Sequence, residues 1–148
     1  MIFNNYKAFP RSGCIMGLDW GARRCGVAVS DFERNFVFVR PQINVKNQSE
    51  LVNAVMNIVN DESAVGIVIG LPLYADGGDS ETTIKVREFA NMLSSKTDLP
   101  ILFVEENLTS SMAMEELRTT NVWKIKQELD SISARIILEN AINLIKRN

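Results

Sequence analysis

The chain has 148 residues, 46% of them hydrophobic and 23% charged, which is enough for one domain with a single core. The net charge of −2 does not by itself indicate a nucleic-acid-binding protein, although a local basic patch would suffice for one. The sequence contains no histidine, which excludes Ser-His and Cys-His nucleophile pairs and histidine metal motifs. Any hydrolytic chemistry must therefore rest on carboxylates, Lys, Tyr, or a metal held by oxygen ligands.

The sequence shows no sign of a membrane protein. No stretch approaches the roughly 20 apolar residues that span a bilayer, and residues 1–12 lack the apolar run of a signal peptide. We therefore expect a cytoplasmic protein without a membrane partner, with residues 1–12 as an N-terminal extension and 13–148 as one domain. Cys14 and Cys25 lie in apolar segments and are expected to be buried free thiols, since a zinc site normally needs four Cys or His ligands.

Three β-type runs open the domain, at residues 14–19, 25–30 and 36–43. Short polar segments separate them, which is typical of an antiparallel meander.

Helices and strands then alternate along the chain. Apolar residues at helical spacing, or in short continuous runs, predict helices at 49–60, 81–95, 109–117 and 129–146, and strands at 64–71 and 101–104. Asn47 or Ser49 is expected to cap the first helix, Ser80 the second and Thr109 the third, with a loop over 118–128 before the last. Three antiparallel strands followed by two parallel strands with flanking helices predict an α/β sheet of the ribonuclease H-like type.

Acidic residues follow the first and last predicted strands. Asp19 comes directly after an apolar strand, where it could serve a site at the edge of the sheet or simply open a turn. Glu105 and Glu106 end the last strand, and a solvated strand end is the alternative interpretation. Because successive side chains point to opposite faces of a strand, at most one of the two glutamates can enter a shared site.

Asp130 precedes Ser131 at the predicted start of the last helix, where it could act as an N-cap. It also lies seven residues, nearly two helical turns, before Ile137, so it shares the apolar face of the helix. Asp19, one glutamate and Asp130 could therefore converge at one edge of the sheet. Three such carboxylates could hold Mg²⁺ or Mn²⁺, and two ions about 4 Å apart can promote phosphodiester hydrolysis without histidine.

Four basic residues accompany the acidic candidates. Two lie in the turn after the first strand and two in the predicted loop before the last helix. They could contact phosphates, although charged residues on surface loops are usually only solvated. The candidates for nucleic-acid binding are Arg23, Arg24, Lys124 and Lys126.

Four segments, in this order, resemble the YqgF-type family of pre-16S rRNA nucleases and Holliday junction resolvase-like proteins. They cover nearly the whole chain from Gly13 onward, and together they are specific to the family. The segments are GLDWGARRCGVAVSD at 17–31, GLPLYADGGD at 70–79, EENLTS at 105–110 and DSISARIILEN at 130–140.

The resemblance implies a ribonuclease H-like nuclease domain over 13–148 that uses Mg²⁺ or Mn²⁺ and trims the 5′ end of the 16S rRNA precursor. The metal-binding and catalytic carboxylates would be Asp19, Glu106 and Asp130. Nucleic acid, as pre-rRNA or branched DNA, is the expected partner, and ribosomal precursor particles are a further one. Asn107 stands where the family typically has Arg, which would remove a phosphate contact.

Other functions stay open at this point. The substrate could be a DNA junction instead of RNA, or the chain could be a non-catalytic nucleic-acid-binding or transcription-assisting factor. The Asp-x-Gly turn also occurs in sugar kinases and actin-like ATPases, but those enzymes need two such domains and this chain has room for one. The chain could be a monomer or a homodimer, because a junction resolvase needs two active sites and RNA end-trimming does not.

Overall fold

In a computed structural model, the described part of the chain forms a six-stranded sheet with helices on both faces. The structure describes residues 2–3, 6–74, 76–105 and 122–147; residue 3 and residues 122–131 are described by their backbone alone. The elements are β1 (Ile2–Phe3), β2 (Ile15–Asp19), β3 (Arg24–Ser30), β4 (Val37–Asn44), α1 (Gln48–Glu62), β5 (Gly66–Leu71), α2 (Glu81–Ser94), β6 (Ile101–Glu105) and α3 (Val122–Arg147).

The strand order across the sheet is β1-β6-β5-β2-β3-β4. Strands β2, β3 and β4 are antiparallel neighbours, whereas β5 is parallel to β2 and to β6. This confirms the predicted order of three antiparallel strands followed by two parallel ones. The two-residue β1, which pairs in parallel with the start of β6, was not predicted, because two residues carry no periodic pattern.

The sheet separates two hydrophobic cores. The first core lies between the sheet and α1 with α2, and the second lies between the sheet and α3. Along β2, Met16 and Leu18 enter the first core and Ile15 the second, as the two-residue period of a strand requires. All six residues of β5 are buried, which confirms the prediction of a strand covered on both faces.

Part of the predicted N-terminal extension packs on the second core. Phe9 is 2% exposed, and its ring lies against Gly66 so closely that a Cβ there would come within 2.4 Å of the Phe9 Cζ atom. The boundary at residue 13 stays a prediction. Both cysteines are free thiols, but only Cys25 is buried. Cys14 is half-buried, so its predicted full burial was wrong; it lies just before β2, outside the paired part of the strand.

The helix starts follow local capping chemistry. The Asn47 side chain accepts a hydrogen bond from the Glu50 amide at 2.9 Å, which makes Asn47 the N-cap of α1. Ser80 and Thr83 form a capping box at the start of α2. Among the described residues, no helix is both long and apolar enough to cross a bilayer.

The last helix differs from the prediction. It begins at Val122, so residues 122–128 are helical where a loop was predicted. The physical reason is that no Gly or Pro occurs between residues 122 and 147, so nothing in the sequence interrupts the helix. The predicted helix at 109–117 lies outside the described residues.

Candidate active site

Asp19 is the last residue of β2 and is half-buried. Leu18 points into the first core, so the alternation of side chains puts Asp19 on the opposite face of the sheet, toward α3. The carboxylate therefore occupies the carboxyl end of a central strand, on the face that α3 covers in the described part of the chain.

Gly17 explains how closely that helix approaches. A Cβ at this position would lie 2.8 Å from the Leu138 Cβ and 3.1 Å from the Ala134 carbonyl oxygen. The α3 backbone thus rests directly on β2, and any larger residue at position 17 would push it away.

The direction of α3 is set by contacts at its end. The Arg11 guanidinium donates to the Ile145 carbonyl at 3.4 Å, and the Lys146 ammonium donates to the Arg34 carbonyl at 3.1 Å. Arg34 in turn donates to the Gly13 carbonyl, just before β2. The end of α3 therefore lies at the amino end of β2, and its earlier residues lie toward Asp19.

Counted from the contact of Gly17 with Ala134 and Leu138, the backbone of Asp130 lies toward the Asp19 end of β2. Ala134 contacts Gly17. Asp130 is four residues before Ala134, which is about 6 Å along the helix. Asp19 is two residues after Gly17, which is about 7 Å along the strand in the same direction. Asp130 lies eight residues inside α3, which begins at Val122, so the interpretation of Asp130 as an N-cap was wrong. Its side chain lies outside the described part of the structure.

Strands β5 and β6 continue the same edge of the sheet. Gly70 pairs with Val104 and Leu71 with Glu105. Since Leu18 pairs with Ile69, Gly70 follows at the level of Asp19, and it has no side chain on the face between Asp19 and β6. The sheet surface beside Asp19 is therefore not occupied by a β5 side chain.

Glu105 is the exposed last residue of β6. It shares a face with Phe103, which packs on the first core, so Glu105 lies on the side of α1 and α2 and not on the side of Asp19. Glu106 and Asn107 lie outside the described residues. Among the described side chains, no three carboxylates or thiols lie close enough together to hold a metal ion. The three-carboxylate site therefore stays a prediction, because the side chains of Glu106 and Asp130 are not described.

The predicted basic residues fall into two groups. Arg23 and Arg24 are exposed; Arg23 lies in the β2–β3 turn and Arg24 begins β3. The turn is tight, since a Cβ on Gly21 would lie 2.4 Å from the Arg24 carbonyl oxygen. Lys124 and Lys126 lie in α3, so their predicted place in a loop was wrong, and their side chains lie outside the described part.

The loop after β5 is held to α2 by hydrogen bonds. The Thr83 hydroxyl donates to the Pro72 carbonyl, and the Tyr74 amide donates to the Gly78 carbonyl at 2.9 Å. Gly77, with a φ of 86°, allows the chain to turn back. This gives the GLPLYADGGD segment a structural role at the same edge of the sheet as Asp19.

Trp20 is a further candidate functional residue, which the sequence analysis did not identify. It is half-buried against the first core, and its indole nitrogen donates to the Gln48 Oε1 atom at 3.1 Å. The only available signal was a large aromatic residue directly after Asp19.

This sheet, crossed by α3 on the Asp19 face, is the ribonuclease H-like fold of the Holliday junction resolvases. RuvC of Thermus thermophilus, solved in complex with Holliday junction substrate, superposes with a TM-score of 0.57 at 10% identity, covering 88% of this chain and 93% of that one. The yeast mitochondrial Holliday junction resolvase Ydc2 also gives 0.57, at 14% identity, covering 94% of this chain and 81% of that one. These similarities concern the fold and confirm its prediction.

Sequence similarity defines the family. The model of the RuvX family, described as Holliday junction resolvase, matches residues 13–144, and the chain belongs to this family. A Maridesulfovibrio salexigens protein named "Putative pre-16S rRNA nuclease" is 39% identical over 127 residues, 84% of this chain and 94% of that protein. An Orientia tsutsugamushi protein of the same name is 34% identical and matches over 100% of this chain and 98% of its own length. The resemblance to this family is thereby confirmed.

Proposed function

We propose that the chain is a divalent-metal-dependent phosphodiester hydrolase that matures the 5′ end of pre-16S rRNA. The observation that carries the proposal is that α3 carries the backbone of Asp130 toward the Asp19 end of β2, on one face of the sheet, in a chain without histidine. The names of the relatives from Maridesulfovibrio and Orientia support RNA as the substrate.

The proposed metal ligands are Asp19, Glu106 and Asp130. Strand alternation supports Glu106 over its neighbour, because Glu105 lies on the opposite face from Asp19. Strands β2 and β6 flank β5, so their backbones are about 10 Å apart, a distance that two carboxylate side chains and one or two ions can span. Carboxylate oxygens are the ligands that Mg²⁺ and Mn²⁺ prefer, so the donor set fits such an ion.

The residues have distinct roles in this proposal. A bound metal ion would activate the attacking water and stabilise the leaving oxygen of the phosphodiester. The carboxylates of Asp19, Glu106 and Asp130 provide the negative charge that retains the ion. Exposed Arg23 and Arg24, in and just after the turn that follows Asp19, would hold flanking phosphates, together with Lys124 and Lys126.

A direct assay tests the proposal. Purified protein is incubated with a precursor 16S rRNA fragment and, separately, with a four-way DNA junction, in Mg²⁺, in Mn²⁺ and in EDTA. We expect cleavage of the RNA fragment at the 5′ side with either metal and none in EDTA. RNA binding without cleavage under all conditions would support the non-catalytic alternative and contradict the proposal.

Resolution of DNA junctions is the second candidate function. The description of the matching family and the fold shared with RuvC and Ydc2 favour it. It would need two active sites and therefore a dimer, so the sedimentation of the active species is measured beside the assay. Junction cleavage by a dimer, without RNA cleavage, would replace the first proposal by the second.

Adjacent glutamates provide a matched control for the ligand set. Glu106→Gln should lower the cleavage rate by about 100-fold or more, because it removes one charged ligand. Glu105→Gln makes the same chemical change one residue away, on the other face, and should leave cleavage close to wild type. Equal loss in both variants would contradict the assignment of Glu106.

A further inference from the structure

A cavity of about 300 Å³ lies on the other face of the sheet, beside the turn that follows Asp19. It is bounded by that turn, the first residue of α1 and one side of α2. Its principal lining residues are Trp20, Gln48, Lys85, Glu88, Phe89 and Met92.

Flat and apolar side chains form much of this cavity. Trp20 is half-buried, and the hydrogen bond from its indole nitrogen to Gln48 at 3.1 Å restrains the ring. Phe89, 1% exposed, and Met92, 37% exposed, also line the cavity. A planar ligand ring could therefore stack on the restrained Trp20 indole, next to the Met92 thioether.

Polar groups accompany this apolar surface. Gln48 uses its amide oxygen to accept from Trp20, so its amide nitrogen is the end that can donate to a ligand. Exposed Lys85 and Glu88 are three residues apart on α2, so they are neighbours on its surface and add a donor and an acceptor. A planar ring whose edge carries both acceptors and donors matches this set, and a purely apolar ligand does not.

The position of the cavity points to the identity of the ring. The Cα atoms of Trp20 and Asp19 are about 3.8 Å apart, while their side chains lie on opposite faces of the sheet. Exposed Arg23 lies in the same turn and can hold a phosphate. A nucleic-acid strand that passes Asp19 can therefore turn one base over the edge of the sheet.

We propose that this cavity binds one nucleobase of a single-stranded RNA, next to the phosphodiester at Asp19, and stacks it on Trp20. The proposal rests on the proposed function for the position of the phosphodiester. In this proposal, the β2–β3 turn contributes to binding a base of the substrate and also lies next to Asp19.

Tryptophan fluorescence tests the stacking. The chain has two tryptophans, so Trp123→Phe leaves Trp20 as the only one. This variant is titrated with single-stranded RNA oligonucleotides in EDTA at low salt, where cleavage does not occur. We expect saturable quenching of Trp20. Anisotropy of a fluorescently labelled oligonucleotide, which needs no tryptophan, should show about tenfold weaker binding when Trp20→Ala is introduced. Trp20→Phe keeps an aromatic ring and should recover most of the affinity.

A scan with single abasic nucleotides identifies the bound base. Removal of the base at one position should weaken binding about tenfold in the protein with Trp20, and this penalty should disappear in Trp20→Ala. Quenching, and the position-specific penalty measured in the protein with Trp20, do not depend on Trp20→Ala, so they decide the question even if that variant fails to fold. No RNA binding, no quenching at saturation, or a penalty equal at every position would each overturn the proposal. Because binding is measured without metal, this experiment tests the base-binding cavity, whereas the cleavage assay tests the proposed nuclease activity. A failure of one is therefore distinguishable from a failure of the other.

Discussion

Charged residues at the two ends of β2 have opposite surroundings. At the amino end, the Arg34 side chain is 4% exposed and donates to three backbone carbonyls, those of Gly13 at 2.8 Å, Pro10 at 2.6 Å and Ser12 at 3.1 Å. Burial lowers the pKa of the Arg34 guanidinium. Arginine nevertheless remains charged, because its ordinary pKa lies far above neutral pH. At the carboxyl end, Asp19 is half-buried and Arg23 is exposed.

This difference indicates a structural role for Arg34 and supports the proposed substrate-contacting role of the charged residues near Asp19. The Arg34 donors are taken up by backbone oxygens, so this residue ties the β3–β4 turn to the chain before β2 and cannot reach a substrate. Arg23, in contrast, is exposed beside the edge where strands β2, β5 and β6 end. Substitutions at the amino end should therefore change stability, and those at the carboxyl end should change activity.

Removal of a carboxylate at the proposed active site should have the largest effect. We expect Asp19→Asn and Asp130→Asn to lower cleavage by about 100-fold or more, because each replaces a charged ligand by a neutral one. Thermal stability in EDTA should be unchanged or raised for Asp130→Asn, since repulsion among the carboxylates decreases and Asp130 does not begin α3. Cleavage assays and thermal denaturation with and without Mn²⁺ measure both. Wild-type cleavage by either variant would remove that residue from the site.

Removal of Arg34 should act on stability alone. Arg34→Ala leaves three carbonyls without their donor, and we expect the free energy of unfolding to fall by about 2–4 kcal/mol in urea denaturation. Cleavage per folded molecule should stay at the wild-type level. Arg40→Ala is the matched control, because Arg40 pairs with Glu62 at 2.8 Å at a partly exposed site and should cost less than about 1 kcal/mol. A loss of activity without a loss of stability in Arg34→Ala would contradict the comparison.

Two glycines test the same contrast through packing. Gly17→Ala puts a Cβ against the α3 backbone, and we expect a loss of about 1–3 kcal/mol together with slower cleavage, because α3 must shift and carries Asp130 with it. Gly66→Ala, at the amino end of β5, presses on the Phe9 ring and should lower stability without slowing cleavage by the folded protein. Denaturant titrations and cleavage rates at matched folded fractions measure both. Equal slowing in the two variants would mean that the position of α3 over β2 does not determine the cleavage rate.

The smallest effect is expected in the salt dependence of binding. Arg23→Ala and Arg24→Ala together should reduce the slope of log affinity against log salt by about 1.4–1.8, one counterion for each lost phosphate contact. Lys96→Ala, an exposed residue just after α2 and away from the Asp19 edge, is the control and should leave the slope unchanged. An unchanged slope in the arginine variants would mean that the phosphates are held elsewhere.

The sequence predicted elements best where their own residues carried a pattern. The run over β5 and the spacing of α1 gave the correct element types, and Asn47 and Ser80 gave the correct caps. The start of α3 was missed because the acidic and hydroxyl residues around Asp130 look like a cap when no contacts are known. Arg34 was missed because a single arginine in a turn has no pattern that predicts three carbonyl partners.

The sequence by itself determined the fold and the family. Without histidine, and with acidic residues after two strands and in the last helix, it predicted chemistry that relies on carboxylates and a metal ion. The tertiary structure decided which residues share a face. It separates Asp19 from Glu105, directs the earlier part of α3 with the backbone of Asp130 toward the Asp19 end of β2, and directs Trp20 to the opposite side. These relations depend on strand register and on how closely α3 approaches Gly17, and such long-range packing leaves no local pattern in the sequence.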